Sequence, residues 1–103
     1  MELYDDAYKE GAKKFKEAVQ DVVDAYKNYQ KVMLEKSPLG TKTNELLMLA
    51  ASCALRCSYC IDTHSTRARN AGATDQEIAF AVQLAASVCH GAAISYGVNA
   101  LAD

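Results

Sequence analysis

A strong charge of one sign is the first thing this sequence lacks. Its net charge of -2 gives no general attraction for nucleic acid or an anionic membrane, so neither partner is expected. Lys9, Lys13, Lys14 and Lys16 do cluster, but Glu10 and Glu17 are interleaved among them, as on a solvated helix face. A long hydrophobic run is also missing. The longest, Leu46 to Ala51, falls far short of the roughly 20 residues that a membrane-spanning helix needs. The opening Met1-Glu-Leu-Tyr-Asp-Asp has neither the basic nor the apolar region of a secretory signal, and the expectation is a cytoplasmic protein. There is no Gly-x-Gly-x-x-Gly and no phosphate-binding loop, so no cofactor is expected. No stretch alternates in the manner of a strand, and repeats, low-complexity tracts and linkers are absent.

What is present suits a small folded protein. Hydrophobic residues make up 50% of the chain and charged ones 23%, which excludes intrinsic disorder. The 103 residues are expected to form a single domain over 1–103, whose modest core would gain from oligomerisation.

From Tyr4 through Tyr8, Phe15, Val22 and Tyr26 to Met33, apolar or small positions recur at spacings of three and four. That period predicts one long amphipathic helix or two collinear ones over Leu3 to Leu34, with a break near Gln20-Asp21 where the Asp could cap a second helix. Ser37-Pro38-Leu39-Gly40 ends this region, and Thr41 or Thr43 is expected to cap the next helix. Leu46 to Leu55 is apolar on every side apart from Ser52, so this helix should be buried all round. Glu45 falls in its first turn and a half, where the helix dipole alone could account for a carboxylate. Arg56 to Ser58 reads as a bend into a third helix, which runs to Asn70-Ala71 and stops at Gly72. Thr74-Asp-Gln-Glu77 is a capping box opening a last helix from Asp75 to about Asn99, rich in small residues that let another helix approach closely. The fold class is all-α.

Chemistry concentrates in Cys53-Ala-Leu-Arg-Cys57-Ser-Tyr-Cys60-Ile-Asp-Thr-His64, which holds three of the four cysteines and one of the two histidines. Three chemistries use such a set. In thiol redox chemistry, Cys57 and Cys60 at a helix start close a small disulfide, and the helix N-terminus stabilises a thiolate. His64 shares their helix face and can relay a thiol proton, with Glu45 orienting it. Zinc could use Cys53, Cys57, Cys60 and His64, but structural sites usually draw ligand pairs from separated segments, and Cys53 should lie inside the preceding helix. An iron–sulfur cluster matches the Cys53-x-x-x-Cys57-x-Tyr59-Cys60 spacing of radical S-adenosylmethionine enzymes, yet the chain has neither the length nor the strands for their barrel. No metal is therefore expected. Cys53 reads as a small buried hydrophobe, and Cys89 and His90 as core or interface residues.

Three stretches together resemble the core of the carboxymuconolactone decarboxylase superfamily: Thr41-Lys-Thr-Asn-Glu45-Leu-Leu, Cys57-Ser-Tyr-Cys60-Ile-Asp-Thr-His64 and Ala71-Gly-Ala-Thr-Asp-Gln-Glu77-Ile. More narrowly they resemble its AhpD-like alkylhydroperoxidase branch, whose signature is Glu, eleven residues, Cys-x-x-Cys, three residues, His. The likeness covers roughly residues 39 to 98. It implies an all-helical bundle built on a helical hairpin, an obligate homo-oligomer (trimer or hexamer), and a peroxidase or disulfide reductase. The substrate would be a small-molecule hydroperoxide, and the reductant an external dithiol of lipoyl or thioredoxin type. Carried over, Cys60 attacks the peroxide, Cys57 closes the disulfide, and His64 with Glu45 relays protons. Helix-dipole reasoning instead favours Cys57 as the more acidic thiol.

Tyr59 departs from the pattern, because AhpD proper has a second histidine there, and a phenol of pKa about 10 cannot replace a neutral-pH base. The length points to the compact single-repeat members. Other readings are a decarboxylase or lactone-processing enzyme with idle cysteines, and a non-enzymatic zinc-binding oligomerisation module. On one straight helix Glu45 and Cys57 would lie ~18 Å apart. Either the helices cross to bring Glu45 toward His64, or the relay is completed across a subunit interface.

Overall fold

A computed structural model describes residues 2–103, and all regular structure among them is helical. The order is α1 (Asp6–Ala18), α2 (Gln20–Lys36), α3 (Thr41–Leu55), α4 (Ser58–Asn70) and α5 (Asp75–Gly97), followed by a 3-10 turn at Val98–Leu101. The expected all-α class is what forms. These elements fall into two compact units, one ending at Pro38 and the other spanning Leu39–Asp103.

In the first unit Asp5 caps α1, its carboxylate accepting the Tyr8 amide at 2.8 Å. The helical path breaks at Val19 (φ -131°, ψ 42°), one residue before the expected place. Asp21 does not cap α2, since Val19 occupies that position without any side-chain bond. The Val23 amide instead reaches the Val19 carbonyl at 2.9 Å, which carries backbone pairing across the break. Nor are the two helices collinear. Ala7 and Lys27 would be ~30 Å apart on a straight helix, yet both line one open groove, so the apolar faces of α1 and α2 turn toward each other. Phe15, Val22 and Tyr26 remain exposed along it.

The second unit packs α4 and α5 against α3. Here Gly40, at φ 86°, precedes α3, and the helix begins at Thr41 with no side-chain cap from either threonine. A positive φ is easy only for a residue without Cβ, so glycine serves where a hydroxyl cap was expected. α3 ends at Arg56, the only non-glycine residue with positive φ (56°) among the described residues. The Cys57 amide then bonds back to the Ser52 carbonyl at 3.0 Å, a Schellman closure that reverses the chain within two residues. α4 ends in the same way: Gly72 has φ 93° and the Ala73 amide returns to the Ala68 carbonyl at 2.9 Å. The capping box forms as expected, with Glu77 N to Thr74 Oγ1 at 3.1 Å and Thr74 N to Glu77 Oε1 at 3.0 Å.

Burial corrects the picture of α3. Leu49 is fully enclosed, but Leu47 and Leu55 are exposed, and the buried polar residues are Asn44, Glu45 and Ser52. Two packed helices cover only part of a helix circumference, so an apolar run does not imply burial on every side. On α5 the small residues Ala81 and Ala85 are the buried ones, while Val88, Ile94 and Tyr96 face outward. By length and composition Asp75–Leu101 could cross a membrane, although its first half is the part that packs on α3 through those alanines.

Candidate functional site

The reversal at Arg56-Cys57 lays α4 back along α3, and this creates the site. His64, in the second turn of α4, reaches Glu45, in the second turn of α3: Nδ1 and Oε2 are 2.7 Å apart. A carboxylate can only accept, so the imidazole Nδ1–H donates. Glu45 is 3% exposed and its carboxylate pairs with the His64 ring. An uncompensated carboxylate would not tolerate such burial, so the partner is structurally required. The crossing occurs within one chain, and Glu45 needs no second subunit to meet His64. The bland account of Glu45 as a helix-end charge also falls away, since it is buried against a specific side chain.

Cys57 and Cys60 are joined by a disulfide, with their Cα atoms 5.2 Å apart. Cys57 is the N-cap of α4, and its sulfur accepts the Cys60 amide at 3.2 Å. The cysteines are partly buried, and Tyr59 between them is exposed. Because positions 57, 60 and 64 are spaced by three and four, the disulfide and the imidazole lie along one face of α4. All four expected residues thus belong to the α3–α4 hairpin: two sulfurs at the mouth of the turn, and a histidine held by a buried carboxylate one turn further on.

Cys53 is not part of that group. It is half-buried, and it lines a cleft between α3 and α5 together with Cys89, which is exposed rather than core. His90 is exposed as well. No group of three or more His, Cys, Asp or Glu residues is arranged to hold a metal among the described residues, so Cys53, Cys57, Cys60 and His64 are not gathered into one ligand set.

Two contributors escaped sequence reasoning. Ser52 is buried, donates its hydroxyl to the Met48 carbonyl at 2.6 Å, and offers its own carbonyl to the Cys57 amide. Its signal was visible, as the one polar residue in an apolar run. Lys42 pairs with Glu77 at 2.9 Å and ties the start of α3 to the start of α5. That ion pair, followed by the bond from the Thr74 amide, holds the Glu77 carboxyl below its ordinary range.

Comparison with known proteins agrees with this architecture. The family model described as carboxymuconolactone decarboxylase family matches residues 20–103. A relative from Paracoccus denitrificans, described as uncharacterized protein 4 in cox locus, is 34% identical over 79 residues, which is 77% of this chain and 71% of that protein. A crystal structure of a protein from Methanobacterium thermoautotrophicum superposes with a TM-score of 0.78 at 29% identity, covering 86% of this chain and 99% of that one.

Proposed function

The chain belongs to the carboxymuconolactone decarboxylase family, and within it we propose the AhpD-like role, a thiol-dependent hydroperoxide reductase or disulfide reductase. The observation that carries this reading is the Glu45–His64 pair, packed on the same hairpin as the Cys57–Cys60 disulfide. In the reduced protein, a Cys60 thiolate attacks the distal oxygen of a small hydroperoxide. The O–O bond breaks, Cys60 becomes a sulfenic acid, and the departing alkoxide takes a proton. Cys57 then attacks the Cys60 sulfur, water leaves, and the disulfide forms. His64 moves the protons through Nε2, while Glu45 fixes the ring through Nδ1.

An external dithiol of lipoyl or thioredoxin type resets the pair: one of its thiolates attacks Cys60 and expels Cys57, which takes up a proton, and its second thiolate then attacks the mixed disulfide, releasing Cys60 and leaving the reductant as a disulfide. That direction suits the geometry, because the Cys57 sulfur accepts a backbone amide at a helix start, where negative charge is favoured. Tyr59 stands where AhpD proper has a second histidine, so in this reading the relay consists of His64 and Glu45. A homo-oligomer, a trimer or hexamer, is part of this reading. The reading includes a cytoplasmic protein without cofactor, membrane or nucleic-acid partner.

The test is a thiol titration of the reduced protein before and after one equivalent of an organic hydroperoxide. Two thiols should disappear and map to Cys57 and Cys60. If none disappears, the decarboxylase reading with idle cysteines takes its place.

A further inference from the structure

We propose that Cys53 and Cys89 form a second redox-active thiol pair, which a low-molecular-weight disulfide converts into a bond stapling α3 to α5. The proposal does not depend on the catalytic reading of Cys57 and Cys60.

These are the two free cysteines, and they face one cleft of about 200 Å³. The alignment of the helices brings them there. Lys42 of α3 meets Glu77 of α5, Ala50 and Leu84 share the next cleft along, and Cys53 and Cys89 share the one after that. The helices advance in the same sense, so the two cysteines stand at matching heights. Everything else in the cleft is small or slender: Ala54, Val82, Ala85 and Ala86. Such side chains allow the close helix approach that a disulfide needs, with Cβ atoms about 3.5–4.5 Å apart.

Exposure assigns the roles. Cys89 is open to solvent and Cys53 is half-buried, so Cys89 meets the oxidant first. After releasing its proton to water, the Cys89 thiolate attacks one sulfur of the disulfide reagent. The reagent's S–S bond breaks, and one half leaves as a thiolate that takes up a proton. Cys53 then loses its proton and attacks the Cys89 sulfur, forming Cys53–Cys89 and expelling the second half as a thiol. Two protein thiols are oxidised and one disulfide is reduced.

The consequence reaches the first site. A bond from Cys53 to Cys89 encloses all of α4 and fixes the last turn of α3, where the Ser52 carbonyl holds the Cys57 amide. The second pair is therefore a clamp on the turn that positions the first.

The experiment starts from protein whose Cys57–Cys60 bond is already closed, leaving two titratable thiols, and treats it with oxidised glutathione. Both thiols should be lost, no glutathione should be retained, and peptide mapping should join Cys53 to Cys89. The same bond is expected in the Cys57→Ser/Cys60→Ser double variant, and oxidation should raise the melting temperature of the wild type but not of Cys89→Ser. A lasting glutathione adduct on Cys89 with Cys53 still titratable would overturn the proposal. So would a Cys89–Cys89 bond between two copies, unreactive thiols, or pairing that vanishes in the double variant.

Discussion

Nδ1 of His64 sits 2.7 Å from Oε2 of Glu45 although the two are 19 positions apart in the chain, and the carboxylate is the more deeply buried of the two. This asymmetry separates the two possible substitutions. His64→Ala strands a buried carboxylate without a partner and should cost about 1–3 kcal/mol of stability. Glu45→Gln keeps an acceptor near Nδ1 and should cost less, yet it replaces the carboxylate that holds the ring with a neutral amide. On the proposed hydroperoxide-reductase reading, turnover should fall at least about tenfold in both, given the ~10²–10⁴-fold range of general acid–base catalysis. Urea denaturation beside steady-state assays would check the pattern, and a Glu45→Gln enzyme with unchanged turnover would remove Glu45 from the relay.

The three cysteines of the hairpin should separate by position rather than by proximity in sequence. Cys57→Ser and Cys60→Ser are each expected to abolish turnover, because disulfide closure needs both sulfurs. Cys53→Ser should leave steady-state turnover near wild type under reducing conditions, since its side chain belongs to the α3–α5 cleft. Equal loss in all three would contradict this assignment.

Much of this was readable beforehand because the deciding signals are local. The Thr74–Glu77 capping box, the stop at Gly72 and the close cysteine pair each depend on residues a few positions apart. Others depend on partners that the chain brings together only on folding. The spacing of Glu45 and His64 marks them as partners, but only the reversal at Arg56-Cys57 shows that they meet within one chain rather than across an interface. Leu47 and Leu55 looked like core until packing left their side of α3 open. Gly40 took the capping place because its positive φ suited the chain entry, a backbone property that no side-chain pattern announced.

Arg56 holds a conformation that favours glycine, at φ 56°. Relieving the Cβ contact should stabilise Arg56→Gly by roughly 0.5–1 kcal/mol, the left-handed penalty less the greater chain entropy of glycine in the unfolded state. Arg56→Val, with a β-branched side chain at the same φ, should instead be destabilising. Denaturant midpoints of the two variants would test this, and a Gly variant no more stable than wild type would mean that the Arg side chain contributes enough to offset its backbone cost.

Glu77 links the capping box to Lys42, and the pH dependence of that link has a definite sign. Its carboxyl is held below the ordinary value of 4.5, first by Lys42 and then by the Thr74 amide. The unfolded chain therefore takes up the proton first as pH drops, and the stabilisation is complete above 4.5 and lost as pH falls through the lower folded value. Replacing Glu77 with Gln should flatten that part of the stability profile while changing little of the rest of it. Thr74→Ala should cost about 1 kcal/mol at neutral pH and weaken the acid-side slope only partly, because the Lys42 contact survives. Denaturation series from neutral pH to about pH 3, where such carboxylates titrate, would distinguish them. If Glu77→Gln retained the full wild-type slope, the acid sensitivity would have to originate in other carboxylates.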